Sequence, residues 1–394
     1  MREVYLDNAA TTPLDKVVLD EMTPYLTEYY ANSLSQHRFA RPCTMAVDKA
    51  RKQVADAIGA MANEIYFTGS GSEADNWAIK GTAFAKRYKG NHIIISAIEH
   101  AAIMNSAEWL TKQGFEVTIL KVDSNGIVDI EQLNRELKKE TILVSIMLAN
   151  NEIGVIEPIS EISKIVHANG SLMHTDCVQA MGAIPVNVHD LGADLLTISA
   201  HKFYGPKGIG ALYIRNGIKI DRLISGGGQE RSMRGGTTNT AAVVGMGIAI
   251  ENAVKDRQAY SEHCIQLRDL LIDRIIKEVP YVRLNGDRVR RLPNNVNFSF
   301  EFIEGESILM SLDLKGIAVS SGSACSSGSL EPSHVLLSIG VPIEVAHGSI
   351  RFTVGKHNTK DEMNYTVDCV KEIVQKLRAM SPLFNLKAGE MKYV

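Results

Sequence analysis

From about residue 40 to residue 255, short apolar runs alternate with longer stretches in which apolar positions recur at helical spacing. The short runs predict strands over Glu64–Thr68, His92–Ser96, Glu116–Leu120, Thr141–Leu148, Ser171–His174, Asp194–Ser199 and Ala211–Ile214. The longer stretches predict helices over Cys43–Ile58, Glu73–Arg87, Ala101–Gln113, Ile130–Lys138 and Ile159–Ala168. Strand–helix alternation of this kind packs as a mostly parallel sheet with helices on its faces, and ligands gather at its strand ends.

The pattern changes after Gly226-Gly227-Gly228 and Gly235-Gly236. Two helices are expected, Thr240–Lys255 and Ser261–Glu278. Strands at Asn294–Phe300 and Ser349–Val354 and helices at Glu306–Leu314 and Lys360–Arg378 follow. That order reads as a smaller α+β unit. A chain of 394 residues is too long for one ordinary core. Two domains are therefore expected: a large one over 15–258, and a small one built from 1–14 and 259–394. The weakly patterned Ser381–Val394 reads as a tail.

Composition narrows the possible partners. Hydrophobic residues at 45% and charged residues at 22% are values of a soluble globular chain. A net charge of −3 offers no basic field for nucleic acid or an anionic membrane. No apolar stretch reaches the roughly 20 residues that span a bilayer. The opening Met1-Arg2-Glu3-Val4-Tyr5-Leu6-Asp7 has no export-signal core, so a cytoplasmic protein is expected. The five cysteines, Cys43, Cys177, Cys264, Cys325 and Cys369, form no Cys-x-x-Cys pair, and neither a metal site nor a disulfide framework is expected.

An apolar run ending at Ser199 delivers Lys202 to the turn Ala200-His201-Lys202-Phe203-Tyr204-Gly205-Pro206, and Asp176 ends another such run. Pyridoxal phosphate asks for this pair, an amine for covalent attachment and a carboxylate beside the ring nitrogen. Thr68-Gly69-Ser70-Gly71-Ser72-Glu73 joins a strand to a helix. Its backbone N–H groups and the Ser72 hydroxyl can cradle a phosphate, with Ser199 and His201 completing the shell. The same stretch fits the Gly-x-Gly-x-x-Ala dinucleotide pattern with Glu99 downstream, a reading that leaves Lys202, Asp176 and Cys325 without a task. His100 can lie over a pyridine ring or be an ordinary polar residue at a strand end; Asn151 and Gln179 can reach the ring oxygen or form turns. Arg351, on an apolar strand, needs an anion, and a substrate carboxylate and an internal acid are equal candidates. Cys325 stands among serines and glycines, placed for reaction and movement, in a loop over about 320–334. The other four cysteines read as structural.

These segments carry a resemblance. Tyr5-Leu6-Asp7-Asn8-Ala9-Ala10-Thr11-Thr12-Pro13, the lysine turn, and above all Ser321-Gly322-Ser323-Ala324-Cys325 with Leu330-Glu331-Pro332-Ser333-His334 resemble the cysteine desulfurases, fold-type I pyridoxal-phosphate enzymes, in their long-loop NifS/IscS class. The resemblance implies an α/β, aspartate aminotransferase-type fold and pyridoxal 5′-phosphate as cofactor. It implies that L-cysteine becomes L-alanine while its sulfur passes to Cys325 as a persulfide, then to an iron–sulfur scaffold or another acceptor protein. It gives Lys202 the Schiff base, Asp176 the ring nitrogen, Gln179 the ring hydroxyl, and His100 the ring face and a proton. Ser72, Ser199 and His201 fall to the phosphate, and Asn151 and Arg351 to substrate. Thr237 matches a threonine that reaches the phosphate of a second subunit, which implies a homodimer. The chain departs from the family pattern at Asn32-Ser33 and at Gly71-Ser72. A selenocysteine lyase or an aminotransferase is the nearer alternative, a nucleotide-dependent oxidoreductase the more distant one.

Overall fold

A computed structural model describes residues 2–321 and 332–384. The described residues build a seven-stranded sheet from β1 (Ile65–Thr68), β2 (His92–Ser96), β3 (Glu116–Leu120), β4 (Thr141–Ser145), β5 (Leu172–Asp176), β6 (Leu195–Ser199) and β7 (Gly210–Ile214). Their spatial order is β1-β7-β6-β5-β4-β2-β3. The sheet is parallel except at β7, which runs against both β1 and β6. Only the turn at 200–209 joins β6 to β7. A parallel return needs a longer crossover, so β7 comes back antiparallel. Every residue of β2, β4, β6 and β7 is buried, as a sheet covered on both faces requires. The helix expected over Glu73–Arg87 is one helical stretch, Gly71–Asn76 and Thr82–Lys86, joined by a π turn at Trp77–Gly81.

A second, antiparallel sheet orders Ser320–Ser321, Ser349–Thr353, Asn295–Phe300 and Val282–Leu284 side by side. The chain's opening residues join this end of the molecule. Val4–Tyr5 pairs in parallel with Ile317–Ala318, and Asp7 bridges to Thr353. Val4 and Leu6 are buried there with Phe298, Phe300 and Phe352.

One expectation is corrected. Thr240–Lys255 and Ser261–Glu278 are not two helices but a single helix, Thr240–Glu278, of 39 residues. Its first part buries Val243, Met246 and Ile250 in the core under the large sheet; its last part buries Leu267, Leu271 and Ile275 in the core of the small one. The polar stretch between them contains neither Gly nor Pro. Polarity there brings the helix to the surface without breaking its hydrogen bonds. The 258/259 division expected from sequence falls inside this helix. No helix among the described residues is long and apolar enough to cross a membrane.

Candidate active site

A cavity of about 430 Å³ opens at the ends of β5 and β6 and is walled on its far side by Arg351 and Ser320 of the small sheet. Lys202 enters it from a tight turn. β6 stops at Ser199, a 3₁₀ turn covers Ala200–Lys202, and Tyr204 follows with φ 64. A Cβ on Gly205 would stand 2.8 Å from Ala200 O, so the chain can double back only with glycine there. Lys202 Nζ donates to Ala9 O at 2.5 Å and Ala10 O at 2.8 Å. Gln179 Nε2 donates to the same Ala9 O at 3.0 Å. The N-terminal segment is thus a wall of the cavity, and its turn is held by Asp7 O accepting from Ala10 N and Thr11 N.

Asp176 is buried, and its Oδ1 accepts from Val178 N at 2.8 Å. Burial pushes its carboxyl up, partly offset by the Val178 N–H and by the charges of His100 and Lys202. Asp75 lies on the same cavity, held well above the usual carboxylate range by burial and by the charge of Asp176, with its Oδ1 lacking a hydrogen-bond partner among the described residues. His174 bonds Ser145 Oγ at 2.8 Å and Thr197 Oγ1 at 3.1 Å. Burial takes it down to about 3, so it stays neutral and does not compete as a counter-charge.

His100 caps the helix Ala101–Thr111, with Nδ1 accepting from Ala102 N at 3.1 Å. Burial lowers its pKa, and the charges of Lys202 and His334 add to that, against the pull of Asp176. The neutral ring therefore carries its proton on Nε2. Ser70 accepts from Glu73 N at 3.1 Å and starts the helix that exposes Gly71 and Ser72 to the cavity. A Cβ on Gly71 would come within 3.0 Å of Val178 and 3.2 Å of Ser199, so glycine lets this helix start meet the strand ends. Ser72, Ser199 and His201 line the same space. His201 bonds Thr11 Oγ1 at 3.1 Å; burial, with the charges of Lys202 and Lys207, takes it down to about 4. These groups fit pyridoxal phosphate: an amine, a buried carboxylate raised by desolvation, and a narrow polar cradle at a helix start.

Asn151 is buried beside the cavity, and its backbone oxygen accepts from Arg351 Nη1 at 3.0 Å and Asn295 Nδ2 at 3.2 Å. Arg351 also has an internal partner, Asp7 Oδ1, at 2.9 Å from Nη2. Thr237 is not brought to the Lys202 cavity of its own chain; it is exposed and lines a separate cleft with Thr68, Gly69 and Arg234. Cys325 and most of the loop expected over 320–334 lie outside the described residues, as does the tail beyond Phe384. Cys43, Cys177, Cys264 and Cys369 are buried, free thiols.

The dinucleotide alternative fails on Glu99. That carboxyl is buried, with Oε1 accepting from Ser96 Oγ at 2.5 Å and Met147 N at 3.0 Å, and burial raises it to about 8. It cannot serve a ribose. Sequence reasoning missed two acids of the cavity, Asp7 and Asp75. Asp75 had a signal, since it stands three positions after Ser72 on one helix and so shares its face. Asp7 had none, because its partner is 344 positions away.

A cavity that joins a lysine turn, a buried acid and a phosphate cradle at the ends of a mostly parallel sheet is that of a fold-type I pyridoxal-phosphate enzyme. The class-V aminotransferase family model matches residues 4–365, and the chain belongs to that family. Within it, the chain is a cysteine desulfurase of the NifS/IscS kind. It is 56% identical to "Cysteine desulfurase IscS" of Dictyoglomus turgidum over 97% of both chains, and 52% identical to the protein of that name from Methanosarcina thermophila, over 97% of this chain and 94% of the other. A solved "NIFS-LIKE PROTEIN" superposes with a TM-score of 0.90 at 37% identity, covering 95% of this chain and all of the other. "SspA in complex with cysteine" superposes with a TM-score of 0.81 at 35% identity, covering 90% of this chain and all of the other.

Proposed function

We infer that this protein takes L-cysteine, releases L-alanine and carries the sulfur on Cys325 as a persulfide for an acceptor protein of iron–sulfur cluster assembly or thiolation. The observation that carries the reading is the convergence of Lys202, Asp176, the Gly71–Ser72 cradle and Arg351 on one cavity. Bound pyridoxal phosphate supplies the electron sink that makes an amino-acid Cα proton removable and weakens the bond from Cβ to sulfur. Lys202 Nζ holds the cofactor and, once released, moves the proton at Cα. Asp176 keeps a proton on the ring nitrogen, the positive partner its burial calls for. Ser72, Ser199 and His201 bind the phosphate, with His201 acting as a neutral hydrogen-bonding group. Gln179 and Asn151 orient ring and substrate, and Arg351 takes the substrate carboxylate. His100 covers the ring and gives a proton through Nε2. At Cys325 a sulfur–sulfur bond forms as the substrate's carbon–sulfur bond breaks. The electron pair stays on carbon and is protonated, so cysteine plus thiol becomes alanine plus persulfide.

A second copy of the chain completes the reading. Tyr30 is 82% exposed and Met45 72%, with Leu26 and Phe39 exposed in the same stretch. A cleft lined by Leu34, Thr44, Arg231 and Thr238 links that stretch to the segment carrying Thr237. A homodimer would cover the apolar side chains and carry Thr237 to the partner's phosphate. The cytoplasm, where thiols stay reduced, suits a persulfide carrier.

Cys325→Ser tests the reading. The variant should bind the cofactor and still change its absorbance on adding cysteine, while alanine release with protein-bound sulfur disappears. Full turnover by that variant would make Cys325 a bystander, as in an aminotransferase.

A further inference from the structure

Arg351 uses only part of its donor set. Nη1 is engaged by Asn151 O and Nη2 by Asp7 Oδ1, while Nε is buried with no hydrogen-bond partner among the described residues. Nε–H and the adjacent Nη2–H form the fork that grips a carboxylate at two points. Asp7 holds that fork by one prong, and the oxygen it uses also accepts from Ser320 Oγ at 2.7 Å. The two partners differ in freedom. The Arg351 side chain is 3% exposed, and that of Asp7 19%. The Asp7 backbone is fixed by its bridge to Thr353 and by its carbonyl's bonds to Ala10 N and Thr11 N, which leaves the carboxylate as the part that can turn.

We propose that Asp7 is an internal stand-in for the substrate carboxylate: it keeps Arg351 paired and aimed while the site is free, and yields Nη2 when a carboxylate takes the Nε–Nη2 fork. Asp7 is thereby a positioning residue that sets how tightly carboxylates bind. A buried guanidinium left without an anion is costly, and a one-point partner that can rotate to water covers that cost while remaining displaceable. The inference deepens the desulfurase reading and rests on it for the identity of the carboxylate as that of cysteine. The role of charge must be separated from that of the turn, because the same segment supplies the Ala9 and Ala10 carbonyls that hold Lys202. Asp7→Asn makes that separation, since it keeps shape and an acceptor oxygen.

The test titrates propionate into cofactor-loaded protein and reads the shift in melting midpoint, with neutral propionamide as control. Asp7→Asn should bind propionate about three- to tenfold more tightly than wild type, the scale of a weak ion pair removed as competitor. Its KM for L-cysteine should fall in step without a rise in kcat. Arg351→Gln should show no propionate shift. Asp7→Asn binding propionate no better than wild type, or worse, overturns the proposal. If Asp7→Asn does not fold, Ser320→Ala decides: removing the hydroxyl leaves more of the Asp7 charge for Arg351, so propionate should bind more weakly, and unchanged or tighter binding overturns the proposal. A wild type that binds propionate as described but does not turn over cysteine would sink the desulfurase reading and leave the role of Asp7 standing.

Discussion

The sheet side of the cavity and its N-terminal side treat charge in opposite ways. On the sheet side, burial is the first cause of every shift: it raises Asp176, Asp75 and Glu99 and lowers His174 and His100. Acids there drift toward protonation and histidines toward the neutral form, in which hydroxyls and a backbone N–H hydrogen-bond them. On the N-terminal side, the ionisable groups are paired or held, Arg351 with Asp7 and Lys202 on two carbonyls. A dry floor on which burial penalises a bare carboxylate rewards a positive charge arriving from outside, which suits a protonated ring nitrogen. A wall of exchangeable partners suits a substrate that must come and go. The chemistry is set by desolvation on one side and recognition by pairing on the other.

The largest expected effect breaks the floor. Asp176→Ala should cost about 10²–10⁴ in rate, the scale of a tuned proton contact. A variant within a few-fold of wild type would mean that the floor does not tune the ring. Next comes the wall. Arg351→Gln should cut kcat/KM for cysteine by roughly 10- to 100-fold, mainly through KM, as expected for losing a charged hydrogen bond to substrate. A loss confined to kcat would place Arg351 with the floor instead.

The smallest effect concerns stability. Glu99 ionises near 4.5 when unfolded and at about 8 when folded. The folded state holds that proton more tightly, so the contribution is present below pH 4.5 and lost as pH rises through 8. Glu99→Gln cannot ionise. Its melting midpoint relative to wild type should therefore climb by about 2–5 °C between acidic and mildly alkaline buffer, read by scanning calorimetry. A pH-independent difference would show that Glu99 is not held by burial.

Much of this was legible in the chain. His92–Ser96 and Glu116–Leu120 are found at the expected bounds because each is a short apolar or alternating run closed by turn residues. Lys202, Asp176 and Ser72 could be picked out because their chemistry is local: an amine, an acid and a cradle, each at a strand end or helix start. The unbroken helix was not legible, since loss of apolar periodicity at 256–260 looks the same whether a helix ends or surfaces. The partner of Arg351 was not legible either. Nothing near Arg351 in sequence distinguishes an internal acid from a substrate, and Asp7 reaches it only because Val4–Tyr5 pairs with Ile317–Ala318.

That pairing also dictates when the site can exist. The residues that hold Lys202 are among the first made, yet Asn8 is anchored to Thr353 O at 2.8 Å across 345 positions. At a synthesis rate of about 5–20 residues per second, the opening segment waits roughly 20–70 s for its sheet. In the later part of that interval, once Lys202 has been made, a nascent chain has its lysine turn, its acid and its phosphate cradle but no wall. The wall of the cofactor pocket can therefore close only after the strand Ser349–Thr353 has been made.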